Sequence, residues 1–251
     1  MNAFRSILVF LWMVISIIPM GLLLVFCSFF LEHKKVWWWF AAPWLRGVIN
    51  AARLIAGVKY RVHGESNLPG KEDMRRVILC PKHQSTWETF YFPSMTPHAL
   101  AYVFKQELLR IPVFGWAIGS LGMIHIDRNK RADAWNKVAE QGVKIMDRGT
   151  WVIMFPEGTR GERGSKGNYK AGATRLAVAT NAYVIPIAVT SARCWPRRSF
   201  ALKPGVIDVS IGEPIYAEGR KPDELMDEIE RWIEAEMRRL DPDAYAPGAT
   251  A

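Results

Sequence analysis

The 251-residue chain predicts an α/β fold: a roughly seven-stranded, mostly buried sheet flanked by helices, with an N-terminal membrane-embedded helical segment. Two observations carry the prediction. From Ser6 to Leu31 no residue is charged (SILVFLWMVISIIPMGLLLVFCSFFL), and those positions would make a helix of about 39 Å where a bilayer core needs roughly 30 Å. Beyond residue 55, short β-branched runs alternate with stretches of helical period, with no repeat and no linker long enough to separate two domains. The expected division is a membrane anchor and interfacial segment over 1–55 and one domain over 56–251.

The anchor is too long for a signal peptide, and no small-residue cleavage pattern follows it. Pro19 and Gly21 near its middle imply either a kinked single span or a hairpin dipping into one leaflet. Trp37, Trp38, Trp39 and Trp44 come next; three adjacent tryptophans point three ways on any regular element, as an interfacial belt does. Lys34, Lys35, Arg46 and Arg53 outweigh Arg5, which places the C-terminal part on the cytoplasmic side. Strands are expected at 58–63, 77–81, 101–104, 123–127, 151–155, 183–190 and 206–211, short runs bounded by Gly, Pro or charge. Helical patterns lie at about 86–95, 106–120, 130–148, 171–180 and 222–240. The last starts at Pro222, aligns Leu225, Ile229, Trp232, Ile233 and Leu240 on one face, and stops before Pro242. Ligands of such sheets collect at the carboxyl ends of strands, so the loops after strands are where chemistry is expected.

A net charge of +9 leaves nucleic acid, anionic lipid or a phosphorylated substrate as partners. The basic residues are scattered and form no nucleic-acid-binding motif, so with an anchor present lipid and phosphate are favoured. Cys27, Cys80 and Cys194 are odd in number and far apart, which agrees with a reducing compartment.

Three stretches carry chemistry. In CPKHQSTWE, His83 and Glu88 are five apart and would not meet on one helix. They can meet if His83 lies in a loop and a helix starts near Ser85 or Thr86, so that the acid fixes the tautomer of a base. The same Ser85-x-x-Glu88 spacing is equally a capping box, with Glu88 securing a helix start. Cys80 and Ser85 are possible nucleophiles beside the histidine, though better explained as core and cap. FPEGTR, Phe155 to Arg160, follows an apolar strand; Gly158 permits positive φ and Arg160 presents a planar fork suited to phosphate. Lys105, Leu108, Gly115 and Arg128 are sparser, with two cations at the ends of neighbouring strands.

In order and spacing these residues resemble the glycerolipid acyltransferase family, its 1-acyl-sn-glycerol-3-phosphate (lysophosphatidic acid) acyltransferases in particular. The family's His-x4-Asp is met by His83 and Glu88, its Lys-x2-Leu-x6-Gly-x12-Arg by Lys105, Leu108, Gly115 and Arg128, and its Phe-Pro-Glu-Gly-Thr-Arg by residues 155–160. Its apolar block around a proline is met by VIPIAV with Pro186. Glutamate in place of aspartate is the one departure, and it leaves lipid A acyltransferases as neighbours of the pattern.

The resemblance implies acyl transfer from acyl-CoA or acyl carrier protein to the sn-2 hydroxyl of lysophosphatidic acid, giving phosphatidic acid. It makes His83 the base and Glu88 its orienting acid. Lys105, Arg128, Glu157, Gly158, Thr159 and Arg160 become the acceptor site, and Leu108, Gly115, Phe155, Pro156 and Pro186 structural positions. No cofactor and no metal are implied; His33, His63, His98 and His125 are bystanders. The expected partners are membrane lipids, lysophosphatidic acid and the acyl donor, with no nucleic acid. The expected location is the inner, cytoplasmic membrane of a bacterium, the catalytic domain facing the cytoplasm. Rival readings are another acceptor (lyso-ornithine lipid or a lipid A precursor), an acyl-enzyme through Cys80 or Ser85, and an inactive membrane-bound lipid-binding protein.

Overall fold

The structure, a computed structural model, describes residues 1–126 and 131–246; the side chains of residues 105, 114 and 131–134 lie outside that description. The apolar segment forms a continuous helix, α1 (Asn2–Ser28), which runs through Pro19. The hairpin considered within it is not there. Instead α1 pairs with a second helical stretch made of α2 (His33–Val36), a π-helical turn (Trp37–Ala41) and α3 (Ala42–Ile55). The two run antiparallel: Trp12 packs on Gly47, and the indole N–H of Trp44 donates to Ser16 at 2.9 Å. Both ends of α1 are tied to the rest of the chain. Ser6 accepts from the backbone N–H of Leu202 at 2.8 Å, and Gly21 meets Val113. The tryptophan belt is narrower than expected. Trp37 is core, Trp38 and Trp44 are half-buried, and only Trp39 is mostly exposed.

The domain is built on β1 (Val58–His63), β2 (Val77–Pro81), β3 (Leu100–Lys105), β4 (Ile124–Ile126), β5 (Trp151–Ile153), β6 (Tyr183–Val189), β7 (Gly205–Ile211) and β8 (Ile215–Tyr216). The sheet order is β1-β7-β6-β2-β5-β3-β4, with β8 added to β6, so there is one strand more than the sequence predicts. Strands β2 to β6 are mutually parallel, and β6 meets β7 and β8 antiparallel. Helix α4 (Trp87–Met95) lies with α3 on one face, and α6 (Arg131–Met146), α7 (Gly172–Thr180) and α8 (Pro222–Leu240) cover the other. Strand β2 shows why: Val77 and Leu79 enter one core, Ile78 and Cys80 the other, so the strand is buried on both faces and reads as an unbroken apolar run.

One expectation needs correction. The helix expected over 106–120 is a 3₁₀ turn (Gln106–Arg110) followed by a short α5 (Phe114–Ser120). Pro112 has no N–H to continue a helix and restricts the residue before it, and Val113 beyond it takes a left-handed φ of 62°. Pro186 sits inside β6, where proline is unusual. It falls opposite the break between β8, which pairs at Tyr183–Val184, and β7, which pairs from Ile187, so the missing N–H interrupts no ladder.

Candidate active site

The parallel strands place their C-terminal ends on one edge. His83 follows β2, residues 155–160 follow β5, and Ser191 follows β6. His83 is in the loop and α4 begins at Trp87, which lets Glu88, in the first turn, reach back. Its Oε2 lies 2.6 Å from Nδ1 of His83. Its Oε1 accepts from the backbone N–H groups of Gln84 and Ser85, each at 2.9 Å, and from the hydroxyl of Ser191. Three donors converge on one oxygen, so Glu88 acts as an acceptor and Nδ1 carries the proton toward it. Nε2 is left with its lone pair. The orienting and capping roles weighed as alternatives are therefore both present, one on each oxygen. Ser85 accepts from Trp87 N–H at 3.0 Å, as a helix-start residue does.

The turn after β5 closes over this base. Phe155 stacks on the imidazole, ring centroids 3.8 Å apart and 18° from parallel. Gly161 N–H donates to the carbonyl of His83 at 2.7 Å, and Arg160 donates to the Thr86 hydroxyl at 2.5 Å. Gly158 has a φ of 66°, which favours glycine, and a Cβ there would stand 3.6 Å from the Lys170 ammonium. Beside the turn an open cavity of about 450 Å³ is lined by Glu157, Thr159, Arg160, Gly161, Lys170 and Arg197 among others. Its wall abuts His83 through Gly161.

The other two motif blocks are mainly architectural in what the structure describes. A Cβ on Gly115 would fall 2.5 Å from the carbonyls of Leu108 and Leu109, so the spacing of Leu108 and Gly115 lets α5 start against the preceding turn. Lys105 pairs with Ile126 across β3 and β4, so the two strand ends that carry the block are neighbours. The Lys105 side chain and the whole of Arg128 lie outside the described residues.

The sequence reading missed a second cluster, directly behind the first. Lys82, preceding the base, is fully buried. Its ammonium donates to Glu234 at 2.7 Å and to the carbonyls of Ser165 and Lys166 at 3.0 and 2.7 Å. Glu157 lies 2.7 Å from the same ammonium, as close as Glu234, so Lys82 sits between two buried carboxylates. Burial pushes the Glu157 carboxyl up to about 7, although Lys82 pulls the other way. Tyr169 also donates to Glu234, at 2.9 Å. A lysine beside the candidate base was a readable signal; Glu234, on α8, was not. Ser191 was missed too, although it stands just past the proline-bearing strand.

With this geometry in view, the acyltransferase family model matches residues 59–190. The 1-acyl-sn-glycerol-3-phosphate acyltransferase of Pseudomonas aeruginosa is 36% identical over 96% of this chain and 93% of its own. The chain belongs to the acyltransferase family. The mouse 1-acyl-sn-glycerol-3-phosphate acyltransferase alpha is 28% identical over 81% of this chain and 72% of its own. The crystal structure of the 1-acyl-sn-glycerophosphate acyltransferase PlsC from Thermotoga maritima aligns with a TM-score of 0.77, covering 96% of this chain and 98% of that one at 23% identity. That last likeness is one of fold. This acyltransferase is an enzyme, so the reading as an inactive lipid-binding protein is set aside. Its N-terminal helix is long and apolar enough to cross a membrane.

Proposed function

We propose that this acyltransferase moves a fatty acyl group from a thioester donor, acyl-CoA or acyl carrier protein, to the sn-2 hydroxyl of lysophosphatidic acid, giving phosphatidic acid. The observation that carries the reading is the 2.6 Å contact of Glu88 with Nδ1 of His83, which leaves Nε2 free on a residue whose carbonyl is bonded to Gly161 in the wall of the pocket containing Arg160. The names of its relatives supply the acceptor. Nε2 takes the hydroxyl proton as the oxygen attacks the thioester carbonyl. The tetrahedral intermediate collapses, the C–S bond breaks, and the imidazolium returns its proton to the leaving thiolate. Glu88 keeps the tautomer and stabilises the imidazolium. Arg160, with Lys105 and Arg128, holds the acceptor phosphate, and Glu157, Gly158 and Thr159 shape its site; this positioning sets the hydroxyl at the base. No metal or further cofactor enters the mechanism.

An acyl-enzyme is disfavoured on two grounds. Cys80 is fully buried and burial pushes its thiol up, while Ser85 is fully buried with its hydroxyl engaged at the helix start. For location, we infer a monotopic arrangement at the cytoplasmic face of a bacterial inner membrane. An α1 tied to the domain at both ends lies along it rather than leaving it to cross. Residues 1–55 then hold the domain of 56–251 at the headgroup plane, between a membrane acceptor and a cytosolic donor.

The test uses membranes carrying the wild type or H83A, labelled acyl donor, and a panel of lysophosphatidate, glycerol 3-phosphate, lyso-ornithine lipid and a lipid A precursor. Label in phosphatidate with the wild type alone is expected. Label in lyso-ornithine lipid, which has no phosphate, would retain the base and overturn the phosphate assignment; label in a different phosphorylated acceptor would overturn lysophosphatidate as the acceptor.

A further inference from the structure

The segment between β6 and β7 joins two features that otherwise look unrelated. Arg197 lines the polar cavity beside Arg160. Three residues on, Phe200 and Ala201 line an apolar groove of about 550 Å³ whose other wall is α1, through Ile7, Phe10, Leu11 and Val14. Phe200 is 82% exposed, although its ring meets Phe10 edge-on at 5.7 Å. The segment is also held firmly. Trp195 is buried and T-stacked on Phe10, Leu202 is bonded to Ser6, and Lys203 N–H donates to the Cys194 carbonyl at 2.8 Å. Between these anchors a turn, closed by Ser199 N–H on the Pro196 carbonyl, puts Arg198 at a φ of 59°. A non-glycine residue there adds strain. What the turn presents is an aromatic wedge flanked by Arg198 and Lys203, both exposed. The wedge is continuous with the exposed apolar face of α1, where Phe4, Leu8, Leu11 and Ile15 also lie open.

We propose that residues 196–203 are a second membrane contact and the lip over which the acceptor lipid reaches the pocket. Phe200 enters the acyl-chain region beside α1, and Arg198 and Lys203 face the phosphates of anionic lipids. Arg197, at the junction of groove and pocket, receives the phosphomonoester of a single-chain lipid and passes it to Arg160, while the chain stays against the groove. The occupant is a bilayer surface rather than a protein: the groove shares its wall with the membrane helix, and the flanking charge complements anionic headgroups. The inference rests on the membrane-bound, phosphate-acceptor reading above.

Two readouts test it on the full chain in vesicles of phosphatidylglycerol and phosphatidylethanolamine. In a C27S background an environment-sensitive label is placed at F200C, at I15C on α1, and at E218C, just beyond β8 near the opposite edge of the sheet. Quenchers carried on lipid chains should quench the first two and not the third. Quenching at Ile15 without quenching at Phe200 overturns the lip while leaving the anchor; no quenching at either overturns both. Acceptor identity does not enter this readout. In kinetics, F200S should raise KM for long-chain lysophosphatidate in vesicles by about tenfold with kcat retained, and leave KM for a monomeric short-chain acceptor unchanged. R197Q should raise KM for both. Equal effects of F200S on the two acceptors would overturn the proposal.

Discussion

Glu88 and Glu157 are two buried carboxylates on either side of one strand end, 0% and 3% exposed. Glu88 has donors on both oxygens: an imidazole, two backbone N–H groups and a hydroxyl. Glu157 has a single donor group, an ammonium it shares with Glu234 and two backbone carbonyls, and its carboxyl is raised to about 7. Burial is the same; the supply of donors differs. Where it is full, a carboxylate can hold a base in one tautomer. Where it is sparse, the acid is a source of pH dependence, and it lines the open cavity beside the turn. The chain alternates between the two environments in adjacent residues, His83 facing the first and Lys82 the second.

The largest way to break this comparison is on the Glu88 side. In E88Q the amide oxygen can keep the backbone and Ser191 donors, but its NH₂ faces Nδ1 and drives the imidazole proton to Nε2. Turnover should fall by about 10²–10⁴ with little change in melting temperature. Steady-state rates and thermal unfolding on one preparation check both halves. Less severe for chemistry, but worse for the fold, is K82M. It strands two buried carboxylates and should cost about 3–5 kcal/mol of stability, read by denaturant unfolding in detergent. A K82M protein that unfolds like the wild type would mean that the buried cation does not tie the end of β2 to residues 165–166 and α8.

A subtler effect separates the two acids by pH. Burial favours the neutral form of Glu157, so its folded value, about 7, lies above its ordinary 4.5. The stability this confers is complete below about pH 4.5 and is lost as pH rises to about 7. E157Q is neutral throughout, so its melting temperature should decline less than that of the wild type between pH 5 and 8. Parallel curves would show that Glu157 does not hold its proton in the fold. Smallest should be S191A, which removes one of three donors from Oε1 of Glu88 while the backbone pair remains; turnover should drop by about tenfold or less.

Much of this was legible in the sequence, and the reason differs by element. Strands β1 and β2 were found to the residue because a β-branched alternation in the first and an apolar run in the second end at loops marked by Gly or by polar residues. The 106–120 segment was misread as one helix because its apolar period continues through Pro112, whose backbone constraint outweighed the pattern. Strand β8 is two residues long and too short for any period to show. In the site, His83 and Glu88 were readable because five residues of loop and helix start suffice to join them. Lys82 and Glu234 were not: 152 residues separate them, and only the packing of α8 against β6 brings the carboxylate to the lysine. Ser191 lay one step past a recognised strand. No local pattern tells a serine that ends a strand from one that points at a buried acid.

The most direct test is the protonation of His83 itself, read by nitrogen NMR of histidine-labelled enzyme in micelles at a pH where the ring is neutral. The proton should sit on Nδ1 in the wild type and move to Nε2 in E88Q. A wild-type His83 protonated at Nε2 would mean that Glu88 does not set the base, and the assignment of His83 as acceptor of the hydroxyl proton would fall with it.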